Sequence, residues 1–144
     1  MPAATDLRLT NADLGSMPED GNRYEVIDGE LFVSTAPAFF HQAVLTRLVL
    51  ALGNYLDAHP IGRIAPGVGV VFDEYTGLIP DLVFATNETL TTALAGGRFH
   101  AAPEIVIEVL SPGELLFEKT LRPTDELTAG LLPGFAVRVD SLFA

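Results

Sequence analysis

The sequence predicts a single mixed domain of the α/β (α+β) class, and three stretches carry that prediction. Two apolar-rich runs meet at Asp28-Gly29, a strong hairpin signal. From Phe39 to about Ala58, Val44, Leu45, Leu48, Leu52, Tyr55 and Leu56 recur at helical spacing. Residues 104–110, opened by Glu104, form an apolar run broken inside by one charge, Glu108. Helices therefore fall between strands, and the 144 residues suit one domain.

The elements follow in order. Thr10 with Asp13 three residues on predicts a helix N-cap and a short helix to about Met17. Pro18-Glu19-Asp20-Gly21-Asn22 is a turn cluster. The hairpin strands are Arg23 to Ile27 and Glu30 to Ser34. The long helix ends at His59-Pro60, because a proline disfavours helix in the residue before it. Residues 67–72 and 79–85 predict strands, the second with Pro80 at its start, where a missing N–H is tolerated. Thr86 predicts the cap of a short helix running toward Ala95 and stopped by Gly96-Gly97. Residues 104–110, 115–121 and 135–139 complete the strands.

Composition narrows the function. There is no cysteine, which excludes a disulfide scaffold, a thiol nucleophile and a cysteine-ligated zinc. The N-terminal residues carry no apolar signal core, and no apolar run is long enough to span a membrane, so a cytoplasmic protein without membrane contact is expected. A mean hydropathy of +0.35 suggests apolar surface kept for a partner chain, and a homodimer is expected through an apolar strand or helix surface. Nineteen acidic residues against eight basic ones give a net charge of −11. That balance counts against tight nucleic-acid binding, and a bound metal with nearby arginines offsets it only in part.

The most informative residues are acids among aliphatic neighbours. In Ile105-Val106-Ile107-Glu108-Val109-Leu110 the apolar residues occupy both parities, which predicts a strand covered on both faces in the middle of a sheet. Asp81 sits likewise in Leu78-Ile79-Pro80-Asp81-Leu82-Val83-Phe84. An unpaired buried charge costs several kcal/mol, so two such carboxylates on neighbouring strands call for a cation between them. Mg²⁺ suits oxygen donors of this kind. Glu25 offers a third carboxylate, on the same strand face as Arg23, and the carbonyl of Val109 a fourth oxygen. Plainer roles compete: Glu25 as a solvated strand residue or a partner of Arg23, Asp81 as a strand-start aspartate, Glu108 as a structural acid needing an arginine.

The order of Arg23-Tyr24-Glu25-Val26-Ile27-Asp28-Gly29-Glu30-Leu31, Pro37 with His41-Gln42, Pro80-Asp81-Leu82-Val83, and Pro103 to Pro112 resembles the Uma family of restriction-type endonucleases. That family lies within the PD-(D/E)XK nuclease superfamily, and the C-terminal Thr124-to-Phe135 stretch matches its signature. The resemblance implies a restriction-endonuclease-like central mixed sheet flanked by helices. It implies Asp81 and Glu108 as the paired acids and Glu25 as an additional one, together holding Mg²⁺ or Mn²⁺. The activity it implies is metal-dependent endonucleolytic hydrolysis of DNA. His41 is expected to line the site at a helix start.

The chain departs from the family at one place. Two residues after the second acid, where the superfamily has lysine, stands Leu110. The family's helix and strand beyond Ser111-Pro112 have no counterpart here, an apparent internal deletion near 112–114. Lys119, the only lysine, is the remaining candidate for the catalytic lysine; the plainer reading is a strand lysine paired with Glu118 or Asp125. An inactive relative, acting as a dimeric metal-binding or interaction module, is therefore the alternative to an active nuclease.

Overall fold

The computed structural model describes residues 7–110 and 122–144. The expected strand at 115–121, the shortened stretch near 112–114 and Lys119 lie outside the described residues.

Strands β1 (Arg23–Ile27) and β2 (Glu30–Ser34) pair antiparallel as the Asp-Gly signal predicts. Asp28 and Gly29 have φ of 49° and 82°, the two positive values that a tight hairpin turn of this hand requires. Helix α1 (Asn11–Leu14) is shorter than expected. Asp13 accepts from the Thr10 amide at 2.7 Å and the Thr10 hydroxyl at 3.0 Å, closing its first turn.

Helix α2 runs over Phe39–Ala58, as the periodicity predicts. It buries Leu45, Leu48, Leu52 and Leu56 on one stripe. Each buried leucine contributes about 1.5–3 kcal/mol by area. They meet Leu82 and Phe84 from strand β6 (Leu82–Thr86) and Leu132, Phe135 and Leu142 from the C-terminal part. The opposite face of β6 buries Val83 and Ala85 against Val70 and Phe99. The strand covered on both faces is therefore β6.

Around β6 stands a three-stranded antiparallel sheet, ordered β3 (Gly62–Pro66), β6, β9 (Ile105–Ile107). Beside it a six-stranded mixed sheet runs β2-β1-β5-β4-β8-β7. Its further members are β4 (Val70–Asp73), β5 (Thr76–Leu78), β7 (Leu94–Ala95) and β8 (Arg98–Phe99), and only β4 with β8 is parallel. Strands β10 (Glu126–Thr128) and β11 (Ala136–Arg138) form a separate ribbon. The class is α+β with a mixed sheet and flanking helices, as predicted.

Three expectations need correction. The Glu108 segment is a shorter strand than expected: β9 spans three residues, pairs only with β6 among the described residues, and leaves Val106 44% exposed. Apolar residues at both parities thus accompany a strand with one open side chain here. Helix α3 (Asn87–Thr92) stops short of Ala95, because Gly96 and Gly97, at φ 59° and 76°, turn residues 94–99 into the β7–β8 hairpin. The expected 67–72 strand begins at Val70, and β3 was not anticipated. Gly62 in β3 touches β6 so closely that a Cβ would lie 2.3 Å from the Ala85 carbonyl oxygen.

Candidate active site

The antiparallel register of β6 and β9 pairs Leu82 with Ile107. One step further, past the last paired residues, stand Asp81 and Glu108. Directly opposed residues project to the same face, so the pairing alone brings these two acids together. Pro80, fully buried, fixes the chain just before Asp81.

Asp81 is 3% exposed, the one buried charged residue among those described. Its Oδ2 accepts from the Val109 amide at 2.8 Å and faces His41 Nε2 at 3.1 Å. Its Oδ1 accepts from both Arg23 guanidinium nitrogens, each at 3.3 Å. Glu108 adds a hydrogen bond between the two carboxyl groups. Burial by itself pushes the Asp81 carboxyl toward its neutral form. The Val109 amide, the Glu108 hydrogen bond and the charges of His41 and Arg23 outweigh it and hold the group below the usual aspartate range.

Glu108 moves the other way. Burial first, then the shared hydrogen bond and the negative charges of Asp81 and Glu25, raise its pKa to about 7, with Arg23 opposing. Two carboxyls at one place cannot both ionise freely, so one keeps its proton. Glu108 as a whole residue is well exposed, so water screens part of this repulsion.

Glu25 lies on β1, and its Oε1 accepts from the Ile79 amide at 2.6 Å. All three acids, with Arg23, His41 and Val109, line one open cleft of about 740 Å³ between β1, the start of α2 and the β6–β9 junction. The sequence-predicted acids are thus brought together. The group by which Val109 reaches Asp81 is its N–H. Arg23, weighed beforehand only as a partner for Glu25, turns to Asp81 instead. Parity within β1 puts Arg23 on the face of Glu25 but carries no sign of a partner 58 residues away.

The donor set suits a hard divalent cation: three carboxylates in one cleft, two of them forced to share a proton. Their present pose does not offer a ready-made cage. Among the described residues, no group of three or more His, Asp or Glu side chains is placed to hold a metal ion. Arg23 supplies compensating charge, His41 and the Val109 amide supply hydrogen-bonding partners, and no buried side-chain nitrogen or oxygen among the described residues lacks a partner.

Among solved structures, a crystal structure from Anabaena variabilis, described as "a putative nuclease belonging to DUF820", superposes with a TM-score of 0.72. The match covers 94% of this chain and 97% of that one at 15% identity, a likeness of fold. No curated protein matches the sequence. A family model, Uma2, described as "Putative restriction endonuclease", matches residues 12–125. That span holds Glu25, Asp81 and Glu108 and covers well over half of the sequence, and the chain belongs to the Uma2 family.

Proposed function

We propose that the chain is a Mg²⁺- or Mn²⁺-dependent nuclease that hydrolyses DNA phosphodiester bonds in the cleft of Asp81, Glu108 and Glu25. The observation that carries this reading is the opposed carboxyl pair. Asp81 and Glu108 are held face to face by strand register, and the crowding is strong enough to keep a proton on Glu108 near neutral pH. A divalent cation between them would let both carboxylates ionise.

Asp81, Glu108 and Glu25 would hold the ion, with the Val109 carbonyl as a further hard oxygen. The bound ion would polarise the phosphodiester and lower the pKa of an attacking water. The protein's own groups prepare the place. The Val109 amide and His41 fix the Oδ2 edge of Asp81. The Ile79 amide orients Glu25. Glu108 gives up its proton when it becomes a ligand, so metal affinity rises with pH through neutrality. Arg23 supplies a positive charge on the cleft wall, where a phosphate would lie. Lys119 is the proposed source of the superfamily's lysine.

A homodimer fits the exposed apolar residues Phe32 and Val33 on β2, the end strand of its sheet among the described residues, and Phe39 and Phe40 at the start of α2. No helix among the described residues is long and apolar enough to cross a membrane. A cytoplasmic location is proposed with the nuclease reading.

A second reading has its own support. Leu110 replaces the superfamily's lysine, and Asp81 is already paired with the Arg23 guanidinium and in contact with His41. Both suit a non-catalytic dimeric relative that keeps the scaffold. Plasmid nicking separates the two. Purified chain is incubated with supercoiled DNA and Mg²⁺ or Mn²⁺ beside Asp81→Ala. Metal-dependent nicking lost in the variant supports the nuclease; intact plasmid with both proteins under every metal condition rejects it in favour of the module.

A further inference from the structure

We infer that Arg23 is an internal cation that competes with a divalent ion for Asp81 and thereby sets the metal affinity of the site. The inference rests on the metal-site reading above and goes beyond it to a residue that is not itself a ligand.

The geometry points there in three steps. Both guanidinium nitrogens of Arg23 converge on the single oxygen Oδ1 of Asp81, each at 3.3 Å. This is not the fork that matches two nitrogens to two oxygens. It is a charge placed against Oδ1, the oxygen opposite the one that meets the Val109 amide and His41. A cation reaching Asp81 from the cleft arrives at the place the guanidinium now fills.

Arginine cannot make way by losing its proton, because it stays charged at every accessible pH. It must move. The Arg23 backbone is paired to Ser34 of β2, so the long side chain is the part with the freedom to swing away. The Arg23 side chain is 29% exposed against 4% for Asp81, so a route into the cleft is open to the arginine and closed to the acid. With Arg23 in place the buried acid is neutralised without metal, and the fold does not depend on the ion. The same contact must be broken before the ion binds.

The test is Mn²⁺ binding followed by electron paramagnetic resonance on the full chain, with Arg23→Gln and Arg23→Lys beside the wild type. Thermal unfolding is recorded on the same proteins with and without Mn²⁺. Losing a charge-assisted competitor should tighten Mn²⁺ binding about tenfold or more in Arg23→Gln. Arg23→Lys keeps the charge but offers a single ammonium, and should fall between. Arg23→Gln should melt below the wild type in chelator and gain more from Mn²⁺ than the wild type gains. Should Arg23→Gln not fold without metal, the Arg23→Lys comparison carries the test alone. Equal or weaker Mn²⁺ affinity in the foldable variants overturns the inference and leaves the metal site standing. Failure of every protein, wild type included, to bind Mn²⁺ overturns the metal reading and this inference together.

Discussion

Replacing Asp81 by asparagine keeps the shape of the side chain and removes its charge. In the wild type this carboxylate, 3% exposed, meets five donor groups: the Val109 amide, His41, both Arg23 nitrogens and Glu108. Removing one member of a buried ion pair costs about 3–5 kcal/mol in general. Here the Arg23 contacts are long and the guanidinium is 29% exposed, so solvent recovers part of its charge. Relief of Glu108 offsets a little more. The structure therefore predicts a loss of about 2–3 kcal/mol in metal-free buffer at pH 7. For a chain near this length that is a drop in Tm of about 5–10 °C. Differential scanning calorimetry in chelator measures it, with Arg23→Gln and the double variant completing a cycle. The double variant should lose less than the sum of the singles, because the two residues share one interaction. A Tm at or above wild type in Asp81→Asn, or strict additivity, would refute the view that Arg23 and His41 satisfy this acid in the absence of metal.

Other outcomes follow from the same arrangement of side chains. Glu108 has a folded pKa of about 7, raised above its unfolded value, so its contribution to stability is complete below the ordinary glutamate pKa and is lost as pH rises through 7. Unfolding in chelator should show stability declining from about pH 4.5 to 7, a slope that Glu108→Gln abolishes and that saturating Mn²⁺ reduces. A wild-type profile flat across that interval would contradict the proton shared with Asp81. Phe84, 2% exposed in the principal core, should cost about 3–5 kcal/mol when replaced by alanine, with a lower denaturant midpoint as the readout. Gly77→Ala should be destabilising as well, because its Cβ would fall 1.8 Å from the side-chain oxygen of Asn11. Asn11 ties the start of α1 to the carbonyls of Glu74 and Thr76, so hydrogen exchange near residues 9–14 should accelerate.

What the sequence displayed and what it hid divide along physical lines. The β1–β2 hairpin and α2 were legible to the residue, because turn chemistry at Asp28-Gly29 and leucine spacing are local signals. Strand β3 was not, since Gly62-Arg63-Ile64-Ala65-Pro66 has no alternation of its own and is ordered by its neighbour β6. The run around Glu108 misled on length and cover: apolar residues on both parities do not by themselves bury both faces, and Val106 is open. The acids themselves were legible from their aliphatic surroundings. Their juxtaposition depends on antiparallel register, which no local pattern encodes. The partners of Asp81 were hidden for the same reason: Arg23 lies 58 residues away and His41 lies 40 away. The family's residue pattern supplied what periodicity could not.

Isothermal titration with Mn²⁺ at neutral pH, comparing the wild type with Glu108→Gln, weighs the carboxyl pair as a cation seat. The wild type should bind with releasable protons, visible as a heat that changes with the buffer's ionisation enthalpy. Glu108→Gln, which keeps the size of the side chain but can never become a carboxylate, should bind at least about tenfold more weakly and release fewer protons. Identical affinity and identical proton release in the two proteins would mean that residues 81 and 108 do not hold a divalent ion together.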